Sequence, residues 1–173
     1  MCLTAYRIDA ASPFPQEWNV LGALPGGIAN GYAIAYPPER GVDLKAKYPG
    51  AGNMEIGWTQ VKVNGTLWLH ERIQPNNDCV AYAHTYVQSP SERDVTALIS
   101  TDDGGKLFVN GELLWGVSGV NEIQQDKWQV PVHLKAGWNE VLIKVCQGNG
   151  AWGVSFRFND PKAELKYSTT GPE

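Results

Sequence analysis

The chain has 173 residues, enough for one domain with a real core. Hydrophobic residues make up 43% and charged residues 18%, an ordinary globular composition that argues against general disorder. A formal net charge of −4 and a pI near 5.4 give no electrostatic reason to bind nucleic acid or an anionic membrane, and no apolar run approaches the roughly 18 residues of a membrane span.

No charged-then-apolar leader opens the chain, so a secreted protein is expected to have lost its signal before this numbering begins. Residues 1–50 read as an irregular arm with one short strand at 18–24. Turn formers crowd residues 11–15 and 22–48, including Gly26-Gly27 and Pro37-Pro38. Trp18, Tyr32, Ile34, Tyr36 and Tyr48 are too apolar for a disordered linker, so the arm is expected to lie over the rest of the fold.

Residues 54–160 are strongly β. Short runs rich in Val, Ile, Thr and aromatics predict strands at 54–63, 66–73, 79–88, 93–100, 106–109, 112–117, 127–134, 139–147 and 152–159. Asn64-Gly65 and Asn110-Gly111 each predict a hairpin, because Asn-Gly accepts the positive φ angles of a type I′ turn. No window keeps helical periodicity for a dozen residues. Closely spaced strands without helices predict one domain over 1–173, an all-β antiparallel two-sheet sandwich of jelly-roll kind. Residues 161–173 end in Ser168-Thr169-Thr170-Gly171-Pro172-Glu173, which reads as a frayed terminus or linker stub.

Cys2, Cys79 and Cys146 are widely spaced and make no Cys-x-x-Cys pair, which argues against a structural zinc site. They read as three separate thiols, with a Cys79–Cys146 disulfide as the alternative. Catalytic motifs are missing: no Gly-x-Ser-x-Gly elbow, no phosphate-cradling glycine loop and no His-Glu-x-x-His. A lyase or glycosidase would have to be assembled from Glu71, His70, Arg72, His84 and Tyr82, which spacing alone does not support. No catalytic residue is assigned.

Aromatics offer a second chemistry. A pyranose lays its C–H face on Trp or Tyr while its hydroxyls need polar partners, and seven Trp and seven Tyr are a generous supply. Alternation puts Trp152, Val154, Phe156 and Phe158 on one face, so Trp152 belongs to the core; Trp138 is expected to plug the end of the sandwich, and His133 to face solvent. Trp68, His70 and Arg72 share the face opposite Leu67, Leu69 and Ile73, a face expected to be solvated. Tyr82, His84 and Tyr86 share a face of the next strand, and the two rows side by side would form a sugar platform. The alternative is that Tyr82 and Tyr86 pack against the covering arm. Trp115 and Trp128 are a smaller candidate site.

Several motifs occur in a fixed order: Tyr82-Ala83-His84-Thr85-Tyr86-Val87, Ser89-Pro90, Ser100-Thr101-Asp102-Asp103-Gly104-Gly105-Lys106-Leu107-Phe108-Val109-Asn110-Gly111, Leu134-Lys135-Ala136-Gly137-Trp138-Asn139 and Gly150-Ala151-Trp152-Gly153-Val154. This series resembles the accessory β-sandwiches attached to secreted bacterial glycosidases, polysaccharide lyases and cell-surface proteins. It is also similar to the protective-antigen-type sandwich of toxins, glycosidases and fungal adhesins. The likeness covers about residues 80–160 and implies a sandwich fold, with sugar binders among the relatives. In the adhesin relatives the matching acidic pair binds calcium, and the calcium binds sugar hydroxyls. Carried over, Asp102 and Asp103 become metal-ligand candidates, with Asn149 of Gln147-Gly148-Asn149-Gly150 as a further oxygen donor. Adjacent carboxylates otherwise want several N–H donors, and the alternative is that the pair only closes a turn. The chain lacks a dense acidic loop to complete six or more oxygens.

These readings lead to an expectation of a non-catalytic, extracellular or cell-surface bacterial module. It would bind polysaccharide or oligosaccharide, with other domains of the same parent protein as neighbours. A structural or protein-docking sandwich is the alternative.

Overall fold

The computed structural model describes residues 11–172. Cys2, the first ten residues of the expected arm, and Glu173 at the end of the tail lie outside the described residues.

The chain forms β1 (Glu17–Pro25), β2 (Lys47–Pro49), β3 (Glu55–Gly57), β4 (Thr59–Lys62), β5 (Leu67–Trp68), β6 (Cys79–Ser89) and β7 (Arg93–Asp102). It continues with β8 (Gly105–Val109), β9 (Glu112–Val117), β10 (Trp128–Leu134), β11 (Gly137–Gln147), β12 (Gly153–Phe158) and β13 (Lys166–Ser168). One short helix, α1 (Ile28–Ala33), sits in the first third. The larger sheet runs β4-β1-β6-β11-β8-β9, with β13 also on β6; the smaller runs β10-β7-β12-β5; β2 and β3 pair by themselves. All pairings are antiparallel. Most neighbours are distant in sequence, because the chain repeatedly crosses from one sheet to the other. This is the expected all-β sandwich.

Period-two alternation builds the core. In β11, Val141, Ile143 and Val145 point between the sheets and meet Ile99, Val154, Phe156 and Phe158 from the smaller one. Trp152 joins them and is fully buried. Each such side chain, taken out of water, contributes about 1.5–3 kcal/mol. The other face of the larger sheet is buried as well. Leu21, Leu24, Val80, Tyr82, Leu142 and Cys146 pack there against Tyr36 and Tyr48 from the covering segment. The central strands β6 and β11 are therefore roofed on both sides.

Three expectations change. The strand at 18–24 is no appendage: β1 spans nine residues and lies inside the larger sheet, between β4 and β6. Asn110-Gly111 does make the hairpin, with φ of 51° and 80° and Val109 opposite Glu112. Asn64-Gly65 does not. Only Gly65 takes a positive φ, 90°, and β4 pairs with β1 while β5 pairs with β12. The turn carries the chain between sheets so that Leu67 and Leu69 reach the core. The tail is stitched down rather than frayed: Lys166–Ser168 add to β6, and Thr169 O accepts the Asn19 Nδ2–H at 2.8 Å. Cys79 and Cys146 are free thiols, as expected of these two. They belong to clusters on opposite faces of the larger sheet, which rules out a bridge between them.

Candidate functional site

Antiparallel pairing gathers several strand ends at one end of the sandwich. There β5 stops at Trp68 and β7 at Asp102, while β12 begins at Gly153. The register sets Trp68 opposite Gly153, and Gly153 opposite Asp102, so the three form one row on the outer face of the smaller sheet. Gly153 is needed in the middle. A Cβ there would lie 2.8 Å from Cε3 of the Trp68 ring, so the indole covers the bare backbone. Trp68 is half-buried and meets the His70 ring edge-on at 5.5 Å. His70 Nδ1 lies 3.1 Å from the Trp152 backbone nitrogen and 3.2 Å from the Trp152 carbonyl oxygen, which anchors the ring to the start of β12.

The expected strand at 66–73 stops at Trp68; residues 69–73 turn, with the Arg72 and Ile73 N–H groups donating to Leu69 O. Arg72 consequently leaves the row and is exposed. In exchange, the turn brings His70 close enough to Asp102 to act on its charge.

The two carboxylates have different environments. Asp103 is held by backbone donors: Gly148 N–H to Oδ2 at 2.9 Å and Asn121 N–H to Oδ1 at 3.4 Å. That is the turn-closing arrangement. Asp102 is 9% exposed, and among the described residues no group donates a hydrogen bond to it. Burial pushes its pKa up to about 6, with the charges of Asp103 and Glu122 adding to the rise and His70 opposing it. Asn149 is exposed in the adjoining loop. Among the described residues no three His, Cys, Asp or Glu side chains converge as an ion would require. The oxygens of Asp103 already face N–H donors, so the geometry present fits a closed turn rather than a calcium cage.

The second expected row is elsewhere. Tyr82, His84 and Tyr86 lie on the outer face of the larger sheet, not beside Trp68, because β5 belongs to the other sheet. Tyr82 and His84 are fully buried, and only Tyr86 remains partly open. For Tyr82 the reason is the roof. Lys144, directly opposite Tyr82, donates to Glu39 Oε1 at 2.8 Å and to the carbonyls of Tyr32 and Ile34, and Tyr82 donates to the same carboxylate oxygen at 2.6 Å. Burial pulls the Lys144 pKa down and Glu39 opposes the shift. His84 contacts Asn19 Nδ2 at 3.2 Å and Glu140 Oε2 at 3.3 Å. The five residues from which catalysis would have been assembled are therefore split: Tyr82 sits under the arm and His84 between Trp58, Tyr86 and Glu140 on the larger sheet, with His70, Glu71 and Arg72 at the end of the smaller sheet.

Trp115 and Trp128 do meet, with ring centroids 6.2 Å apart, where edge strands β9 and β10 of the two sheets approach. Beyond them the edges part around a cleft of about 1070 Å³, with Val109, Leu114 and Val132 among its apolar walls and Arg93, Glu112 and Lys135 among its charged ones. Trp138 lies in β11, packed on Tyr86 at 6.5 Å, rather than plugging an end. His133 is exposed and bridges Glu92 and Asp94.

Sequence reasoning missed Gly153 and Glu122. A glycine inside an otherwise regular strand is a signal of close approach; nothing local marks Glu122, whose role depends on the loop before β10 folding back toward Asp102.

No family model matches the sequence, and no curated protein matches it. Among solved structures the chain is similar to the β-glucuronidase of Faecalibacterium prausnitzii, with a TM-score of 0.50 and 12% identity over 82% of this chain. The matched region is 22% of that enzyme, so the chain spans about a fifth of its length. The likeness is one of fold.

Proposed function

We propose that the chain is a non-catalytic carbohydrate-binding module of a larger secreted bacterial protein, with its site at the Trp68–Asp102 end of the sandwich. The observation that carries this is the row itself. A half-open indole supplies a flat apolar surface for a sugar ring, and two strands away a carboxylate without a donor can accept hydroxyl hydrogens. The His70 ring adds a polar edge beside the indole. The fold shared with one part of a glycosidase supports an accessory role beside a glycan-active domain. Titration calorimetry with soluble plant or algal polysaccharides tests the reading. Binding should vanish in both Trp68→Ala and Asp102→Ala, and no reducing ends or unsaturated products should appear.

A protein-docking module is the second reading, favoured by one observation. Leu113 and Val120, 51% and 79% exposed, flank the segment that carries the Trp115–Trp128 edge. A neighbouring domain of the parent protein would be the partner. Persistent failure to bind any glycan, with intact folding, would favour it.

A further inference from the structure

We infer that the loop-end site discriminates by charge, taking uncharged glycans and rejecting those that carry carboxylate or sulfate groups. This rests on the carbohydrate reading and names its ligand class. Two carboxylates, Asp103 and Glu122, lie close enough to act on the charge of Asp102. Opposing them at Asp102 is His70. His70 is anchored through Nδ1 to the backbone of Trp152. Only Asp103 has its charge spread over backbone N–H groups.

Asp102 is the deciding group. It is nine-tenths buried, unpartnered, and set in the same row as the indole. Its carboxylate wants a hydrogen-bond donor, and a sugar hydroxyl is one. A uronate or sulfate stacked on Trp68 would instead bring an acceptor and a second negative charge into a poorly solvated corner, where like charges repel strongly. The groups that face Asp102 are Asp103, Glu122 and His70, so the discrimination should weaken when Asp102 takes up its proton near pH 6.

The test uses the full chain in affinity gels containing either a neutral galactan or xylan, or polygalacturonate, at pH 7.5 and pH 5. Retention by a neutral polymer with polygalacturonate at least about tenfold weaker at pH 7.5, narrowing at pH 5, supports the inference. So does a gain of polygalacturonate retention in Glu122→Gln, an exposed substitution that leaves the fold alone. Equal or stronger retention by polygalacturonate overturns the charge rule while leaving carbohydrate binding intact. Retention by neither polymer, nor by any other glycan, overturns the carbohydrate reading itself.

Discussion

Trp68 and Asp102 stand in one row of the smaller sheet with only the bare backbone of Gly153 between them. The arrangement is costly in isolation. An aromatic ring is left partly exposed, and a largely buried carboxylate has no hydrogen-bond donor among the described residues. Stability alone does not account for this pair, whereas the proposed sugar site uses both.

The cost should be measurable. The folded-state pKa of Asp102 is raised to about 6, above the ordinary carboxylate value near 4. Between those two values the folded protein keeps a proton that the unfolded chain has released. Stability contributed by this group is therefore full below about pH 4, falls as pH rises, and levels off above about pH 6. Asp102→Asn should be more stable than wild type at pH 7.5 by on the order of 1–2 kcal/mol, allowing for partial solvent screening, and no more stable at pH 4. Urea melts at the two pH values measure this. A loss of stability at pH 7.5 would mean that the carboxylate has favourable partners.

The roof over the larger sheet depends on Lys144 and Glu39, whose side chains are 0% and 7% exposed. Lys144→Ala should cost about 3–5 kcal/mol, because Glu39 is left buried and unpaired. Lys144→Met with Glu39→Gln should recover much of it. If the single change cost under about 1 kcal/mol in denaturant melts, the pair would not be what holds residues 26–40 in place.

Asp103 should behave as a turn-closing residue. Removing its acceptors in Asp103→Ala orphans the Gly148 N–H and should cost about 1–3 kcal/mol. Added calcium should leave the melting temperature of the wild type unchanged. A calcium-dependent rise, lost in Asp102→Asn with Asp103→Asn, would restore the metal reading through mass action.

What the sequence revealed was what alternation and turn chemistry encode locally. Trp152, Val154, Phe156 and Phe158 declare a core face by their spacing, and Asn110-Gly111 declares a hairpin because both residues can take positive φ. Partnership is not local. Asn64-Gly65 has the same chemistry but joins strands of different sheets, since the burial of Leu67 and Leu69 outweighs the turn's preference. Tyr82 and His84 alternate as an outward row should, yet a segment about 40 residues earlier covers Tyr82, and Trp58 and Tyr86 pack on His84. The candidate site was half legible: Trp68, His70 and Asp102 were each singled out, but for two separate sites. Only the register through Gly153 joins them.

The most direct test of that junction is affinity electrophoresis of wild type, Trp68→Ala and Trp128→Ala side by side in a gel holding a soluble neutral polysaccharide that retards the wild type. Trp68→Ala should migrate freely while its melting temperature falls by less than about 5 °C, as expected for a half-open side chain. Trp128→Ala should be retarded like the wild type. Free migration of Trp128→Ala with full retardation of Trp68→Ala would contradict the account and move the site to the cleft between β9 and β10.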